Sequence, residues 1–192
     1  MDKIVRYANV ELRSDPQRED VIEGLAIVFN QAADIGWFTE EIDARALDGA
    51  RVDDVVLNFN HNNDIVLART TNGSLSLDTR NDGVYMTSKI VDTSQGRDIL
   101  KLVREGLINK MSFAFTIKDD DGEKWYTDAQ GREHRVIQHI DRLFDVSLVT
   151  FPAYPTTGAW ARGESDEMAE QHRKLMERRA QQDKRMEELL KQ

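Results

Sequence analysis

The sequence predicts a mostly β fold, and three observations carry that expectation. Residues 111–117 alternate with period two: Met111, Phe113, Phe115 and Ile117 fall on one face, and Ser112, Ala114 and Thr116 on the other. Short β-rich runs recur along the chain and are separated by turn residues such as Asn72-Gly73 and Asn81-Asp82-Gly83. Inside the first 162 residues only 94–106 carries a sustained helical stripe.

Taken in order, residues 4–12 and 21–30 are expected as two strands around a polar turn, Ser14-Asp15-Pro16. Val21-Ile22-Glu23-Gly24-Leu25-Ala26-Ile27-Val28-Phe29 is nearly continuous apolar sequence, as for a strand buried on both faces. Trp37–Ile42 forms a third strand, and Asp43–Leu47 one helical turn with Asp43 as its N-cap. Val55–Phe59 is a strand that stops at the polar loop Asn60-His61-Asn62-Asn63-Asp64. Leu67–Thr70, Leu75–Thr79 and Gly83–Ile90 follow as strands. Asn72-Gly73 between the first two has the composition of a tight primed hairpin turn, which needs positive φ.

The helix 94–106 takes Ser94 as cap, Ile99, Leu100, Leu102, Val103 and Leu107 as apolar stripe, and Gly106 as stop. It delivers the chain into the Ser112 strand. Asp119-Asp120-Asp121-Gly122 is expected as a solvated hairpin tip flanked by strands 124–126 and 134–140, since the further oxygen ligands of a calcium loop are missing. In the strand 141–150, Phe144, Val146 and Leu148 should face one way, and Asp141, Leu143, Asp145, Ser147 and Val149 the other. Pro152 and Pro155 end the regular structure. The sequence thus divides into a domain, 1–162, and a charged tail, 163–192. The tail holds eight acidic and seven basic residues from Glu164 onward and should form a long helix.

Bulk properties exclude several function classes. The 192 residues suffice for one domain plus an appendage. Without cysteine there is no disulfide scaffold, thiol nucleophile or cysteine-ligated zinc. A net charge of −9 argues against nucleic acid as a partner. No apolar run is long enough to span a membrane, and the N-terminus lacks the apolar centre of a signal peptide. No phosphate-cradling Gly-rich loop and no Gly-x-Ser-x-Gly elbow occur.

The groups left for catalysis are Ser112, four histidines and the carboxylates. A serine nucleophile needs a base, a group that orients the base, and donors for the oxyanion. Ser112 stands on a face of small residues, which should leave open space above its hydroxyl. His61 closes an apolar strand, and His139 shares a side with Asp145 if 134–150 keeps one register. His134 lies in a hairpin flank and His172 in the tail, where a solvated histidine is ordinary. A metal-assisted hydrolase on His134 and His139 is disfavoured, because residues five apart on a strand face opposite ways.

Five pieces, in a fixed order, resemble the prohead protease family of tailed phages, the capsid maturation proteases. They are Val21–Ala26; Phe38–Ile42 with Ala46-Leu47; Asn60-His61; Gly106–Phe115, which includes Met111-Ser112-Phe113-Ala114-Phe115; and Phe144–Ala153, which includes Val146-Ser147-Leu148-Val149. The likeness covers roughly residues 4–160, and the family is similar in turn to the serine proteases of herpesvirus assemblin type. The resemblance implies a β-barrel with flanking helices. It implies His61 as general base, Ser112 as nucleophile and Asp145 as third member, with His139 as the alternative third member. Family members commonly carry Glu where this chain has Asp145. Oxyanion donors are implied after that strand, where only Ala153 or Tyr154 has an N–H to give. The implied activity is a serine endopeptidase needing no cofactor or metal. It would act inside the assembling prohead in the host cytoplasm on scaffold and major capsid protein segments and on itself, as a homo-oligomer. The alternative is a non-catalytic scaffold or capsid-assembly protein that keeps the fold and works through its charged helix.

Overall fold

The computed structural model describes residues 3–8, 12–15, 18–119 and 121–150. The fold is mostly β. A five-stranded sheet takes strands β1 (Ile4–Ala8), β10 (Lys110–Ile117), β13 (Ile140–Val149), β6 (Val56–Phe59) and β7 (Asn62–Arg69) in that order. All its pairings are antiparallel except β13 with β6, which run parallel. A second sheet, wholly antiparallel, orders β2 (Leu12–Asp15), β3 (Arg18–Val28), β9 (Gly83–Lys89) and β8 (Leu75–Arg80). The third orders β11 (Glu123–Thr127), β12 (Glu133–Ile137), β5 (Phe38–Ile42) and β4 (Ala33–Asp34).

Strand pairing does not close these sheets into a barrel, and α1 (Ser94–Arg104) is the single α-helix among the described residues. The expected barrel with flanking helices is therefore corrected, for the described residues, to open sheets with one α-helix. The tail 163–192 lies outside the described residues.

One core joins the elements. Met111, Phe113 and Phe115 from β10 meet Leu143, Val146 and Leu148 from β13, Leu57 from β6, Ile22 and Ile27 from β3, and Ile99 and Val103 from α1. Phe115, Met111, Leu57, Leu143 and Leu148 are wholly buried, each contributing about 1.5–3 kcal/mol by removal from water.

Several local expectations fail for identifiable reasons. The strand expected at 4–12 is two strands in different sheets: β1 pairs with β10, and β2 with β3. Asp43 does accept from the backbone N–H of Arg45 at 2.8 Å, but the segment continues as turns and not as a helix. Asn72-Gly73 closes no hairpin. Gly73 (φ 74°) ends a short 3-10 turn that carries the chain from β7 to β8, which lie in separate sheets. β10 and β11, on either side of the hairpin tip expected at 119–122, likewise lie in separate sheets, and the β11–β12 hairpin turns at 128–132 instead.

The helix is capped by Thr93, whose Oγ1 accepts from Gly96 N–H at 3.0 Å, and not by Ser94. At its other end Gly106 (φ 71°) donates to Val103 and Leu107 donates to Leu102, the two bonds of a Schellman cap. Leu102 and Leu107 are exposed, so neither belongs to the buried stripe.

Candidate active site

The site is assembled from β10, β13 and the turn between β6 and β7. That turn is two residues long, with Phe59 opposite Asn62. Asn60 (φ 52°) and His61 (φ 55°) both adopt left-handed backbone, as a primed hairpin turn requires. Asn tolerates this conformation; histidine holds it at a cost of about 1–2 kcal/mol. Three hydrogen bonds offset that cost. Asn60 N–H donates to Leu148 O at 2.9 Å, His61 N–H donates to Ser147 Oγ at 2.9 Å, and Thr150 N–H donates to Asn60 Oδ1 at 3.2 Å. The expected polar loop is thus a rigid reverse turn pinned to β13.

The strand β13 carries a bulge. Ala114 stands opposite Asp145 while the next β10 residue, Phe115, stands opposite Leu143, so Phe144 is left unmatched. Strict alternation expected Leu143 beside Asp145 and Phe144 beside Val146. The bulge instead puts Leu143 into the core and leaves Phe144 half-buried beneath the cations of Lys3 and Arg142, 5.4 and 5.3 Å from its ring. Asp145 and Ser147 stay on the face of Ser112, with Ser147 directly opposite Ser112.

With His61 so held, its Nδ1 lies 2.6 Å from Asp145 Oδ1 and its Nε2 lies 2.5 Å from Ser112 Oγ. The residues are 84 and 51 positions apart in sequence. A carboxylate only accepts, so a neutral ring that satisfies Asp145 carries its proton on Nδ1 and turns the lone pair of Nε2 toward the serine. The second oxygen of Asp145 accepts from Lys3 Nζ at 2.8 Å. Burial pushes the Asp145 carboxyl up most strongly. The hydrogen bonds from His61 and Lys3, with their charges, outweigh it and hold the group below the usual carboxylate range.

Ser112 itself is wholly buried, and its face, with Ala114 and Thr116, is covered and not open. His61 contacts the hydroxyl, which also donates to Arg6 O on β1 at 2.8 Å.

The remaining candidates lie elsewhere. β12 stops at Ile137 and β13 starts at Ile140, so no common register carries His139 toward Asp145. Its Nδ1 faces Asp121, 2.9 Å from the carbonyl oxygen and 3.3 Å from Oδ2, and its ring is exposed. His134 contacts Thr39 Oγ1 at 2.5 Å and Asp128 Oδ2 at 2.9 Å. Among the described residues no cluster of three or more histidine and carboxylate groups is arranged to hold a metal. Ala153, Tyr154 and His172 lie outside the described residues. Sequence reasoning gave no role to Lys3 or Ser147. Ser147 was open to it, because a residue two from Asp145 shares its face; Lys3 was not, because nothing local ties it to a residue 142 positions away.

The sequence profile of the caudovirus prohead serine protease family matches residues 8–172. No curated protein matches the chain. Among solved structures, the bacteriophage T4 capsid assembly protease gp21 matches at 10% identity and a TM-score of 0.44, covering 76% of this chain and 98% of that one.

Proposed function

This chain belongs to the caudovirus prohead serine protease family and is a capsid maturation protease, and from that premise we propose that it works as a serine endopeptidase through Ser112, His61 and Asp145. The observation that carries the reading is the continuous line of close polar contacts from Ser112 Oγ through the imidazole to Asp145 Oδ1.

In this mechanism Ser112 Oγ attacks the scissile carbonyl as His61 Nε2 takes its proton. Asp145 keeps the ring in the Nδ1–H tautomer and stabilises the imidazolium that forms. His61 then returns the proton to the leaving amine. Water, activated by the same nitrogen, hydrolyses the acyl-enzyme. Ser147 has a positioning part: it holds the backbone of His61.

The substrates in this reading are scaffold and capsid-subunit segments within the prohead, and the protease's own chain, cut in the assembling capsid in the host. Assembly as a homo-oligomer, the separation of a tail at 163–192, and oxyanion donation from Ala153 or Tyr154 belong to the same proposal. Co-expression with the capsid subunit tests it. Processing of the subunit, and shortening of the protease followed by intact mass over time, should both stop in Ser112→Ala. Continued cleavage in that variant would remove Ser112 from the mechanism.

A further inference from the structure

Ser112 is wholly buried although its strand lies only one place from the edge of the sheet. On that side the cover is the chain's own β1, which runs antiparallel to β10 with Tyr7 opposite Ser112 and Arg6 opposite Phe113. The Ser112 hydroxyl donates to Arg6 O, and a hydroxyl has a single proton. While that bond is made, the proton is not shared with His61.

Among the described residues, Lys3 and Arg6 give β1 charged anchors. Lys3 Nζ sits 2.8 Å from Asp145 Oδ2. The guanidinium of Arg6 spans both carboxylate oxygens of Glu40, which is 3% exposed. Glu40 also accepts from Arg135 at 2.8 Å, and Arg135 is bound in turn to Glu123. These four groups are balanced, two cations against two anions. If Arg6 departs, the buried group keeps one surplus negative charge, which is strongly unfavourable unless another cation enters. The edge of a sheet beside a nucleophile is also where an extended peptide adds most simply, since the backbone ladder supplies affinity whatever the sequence.

We propose that the edge of β10 is the site where an extended substrate strand binds, that β1 fills it as a stand-in, and that Glu40 selects a strand with a basic residue in the place of Arg6. The proposal rests on Ser112 as the nucleophile. It makes unpairing of β1 a condition of activity, and a lysine- or arginine-bearing segment the preferred substrate.

The chain has no cysteine, so a single engineered disulfide can test this. Val5 and Ala114 are directly opposed partners on β1 and β10, at a spacing compatible with a disulfide. In a Val5→Cys/Ala114→Cys/Ser112→Ala protein, binding is read without turnover from the backbone amide shifts of β10. The titrant is the peptide spanning residues 2–9, taken to about 5 mM because it competes with a tethered strand. The reduced protein should bind it at least tenfold more tightly than the same peptide with Glu in place of Arg6, and oxidation should abolish the shifts. Equal binding in the oxidised and reduced forms, no binding to the reduced form, or equal binding of the two peptides would each overturn the proposal. With Ser112 restored, cleavage should fall at least tenfold on oxidation and return on reduction. If no form cleaves while the binding pattern holds, the assignment of Ser112 fails and the strand site stands.

Discussion

Two places in this molecule line up the same three chemical groups, and they differ in everything around them. In one, the Ser112 hydroxyl, the His61 ring and the Asp145 carboxylate form a chain at 2.5 and 2.6 Å. In the other, the Thr39 hydroxyl, the His134 ring and the Asp128 carboxylate form one at 2.5 and 2.9 Å. Distances alone do not separate them. The Asp145 side chain is 3% exposed and its two oxygens serve His61 and Lys3. That of Asp128 is 28% exposed, and its other oxygen closes the 128–132 turn by accepting from Gln130 and Arg132 N–H. His61 is strained and pinned; His134 lies within a regular strand and stacks on Tyr126 at 4.7 Å. The first arrangement joins a strained histidine backbone to a buried carboxylate, while the second reads as a hairpin's own hydrogen bonding. A line of three groups is thus a weak signature; a line that the surrounding fold is built to hold is a stronger one.

The widest separation should come at the hydroxyls. Ser112→Ala is expected to lower the rate of capsid-subunit cleavage by on the order of 10⁴ or more, and Thr39→Ala by less than about threefold, in the same processing assay. A comparable loss in both would erase the distinction. Next come the carboxylates. Asp145→Asn should cost about 10³–10⁴ in rate with the fold retained, by circular dichroism, because it loses orientation and charge and not volume. Asp128→Asn should leave the rate within a few-fold and appear only as a lower Tm.

Smaller still is the support beneath the imidazole. Ser147→Ala removes the acceptor for His61 N–H, worth about 1 kcal/mol, so kcat should fall roughly fivefold to tenfold with KM little changed. An unchanged kcat would mean that the remaining bonds of the turn suffice.

The last test is acid. Both carboxyls are held below the ordinary range in the folded protein, Asp145 against burial by His61 and Lys3, and Asp128 first by its bond to His134. A depressed folded-state pKa means a contribution present above the unfolded value of about 3.9 and lost as pH falls through the lower folded value. The wild-type denaturation midpoint should therefore drop on acidification from pH 5 toward pH 2, and Asp145→Asn should flatten that drop more than Asp128→Asn. Equal flattening would argue that the burial of Asp145 makes no energetic difference.

Element by element, legibility followed the range of the interactions. Alternation along 111–117 marked a strand because side-chain direction is set by the local backbone. The helix at 94–104 and its Gly106 stop were readable for the same reason. Asn72-Gly73 misled because a turn dipeptide reports its own φ and not which strands it joins. The division of 4–12 into two strands left no local mark either, since both parts remain extended.

By itself, then, the sequence determined a strand-rich chain, its one internal helix, and three residues whose surroundings resemble a protease family's motifs. Only the tertiary structure decided that those side chains meet, that a bulge at Phe144 turns Leu143 into the core, that His139 points elsewhere, and that β1 lies across Ser112. Backbone propensity acts over a few residues, whereas pairing register and burial are collective outcomes of packing one core. Contacts between residues 51, 84 or 142 positions apart exist only once that packing is complete.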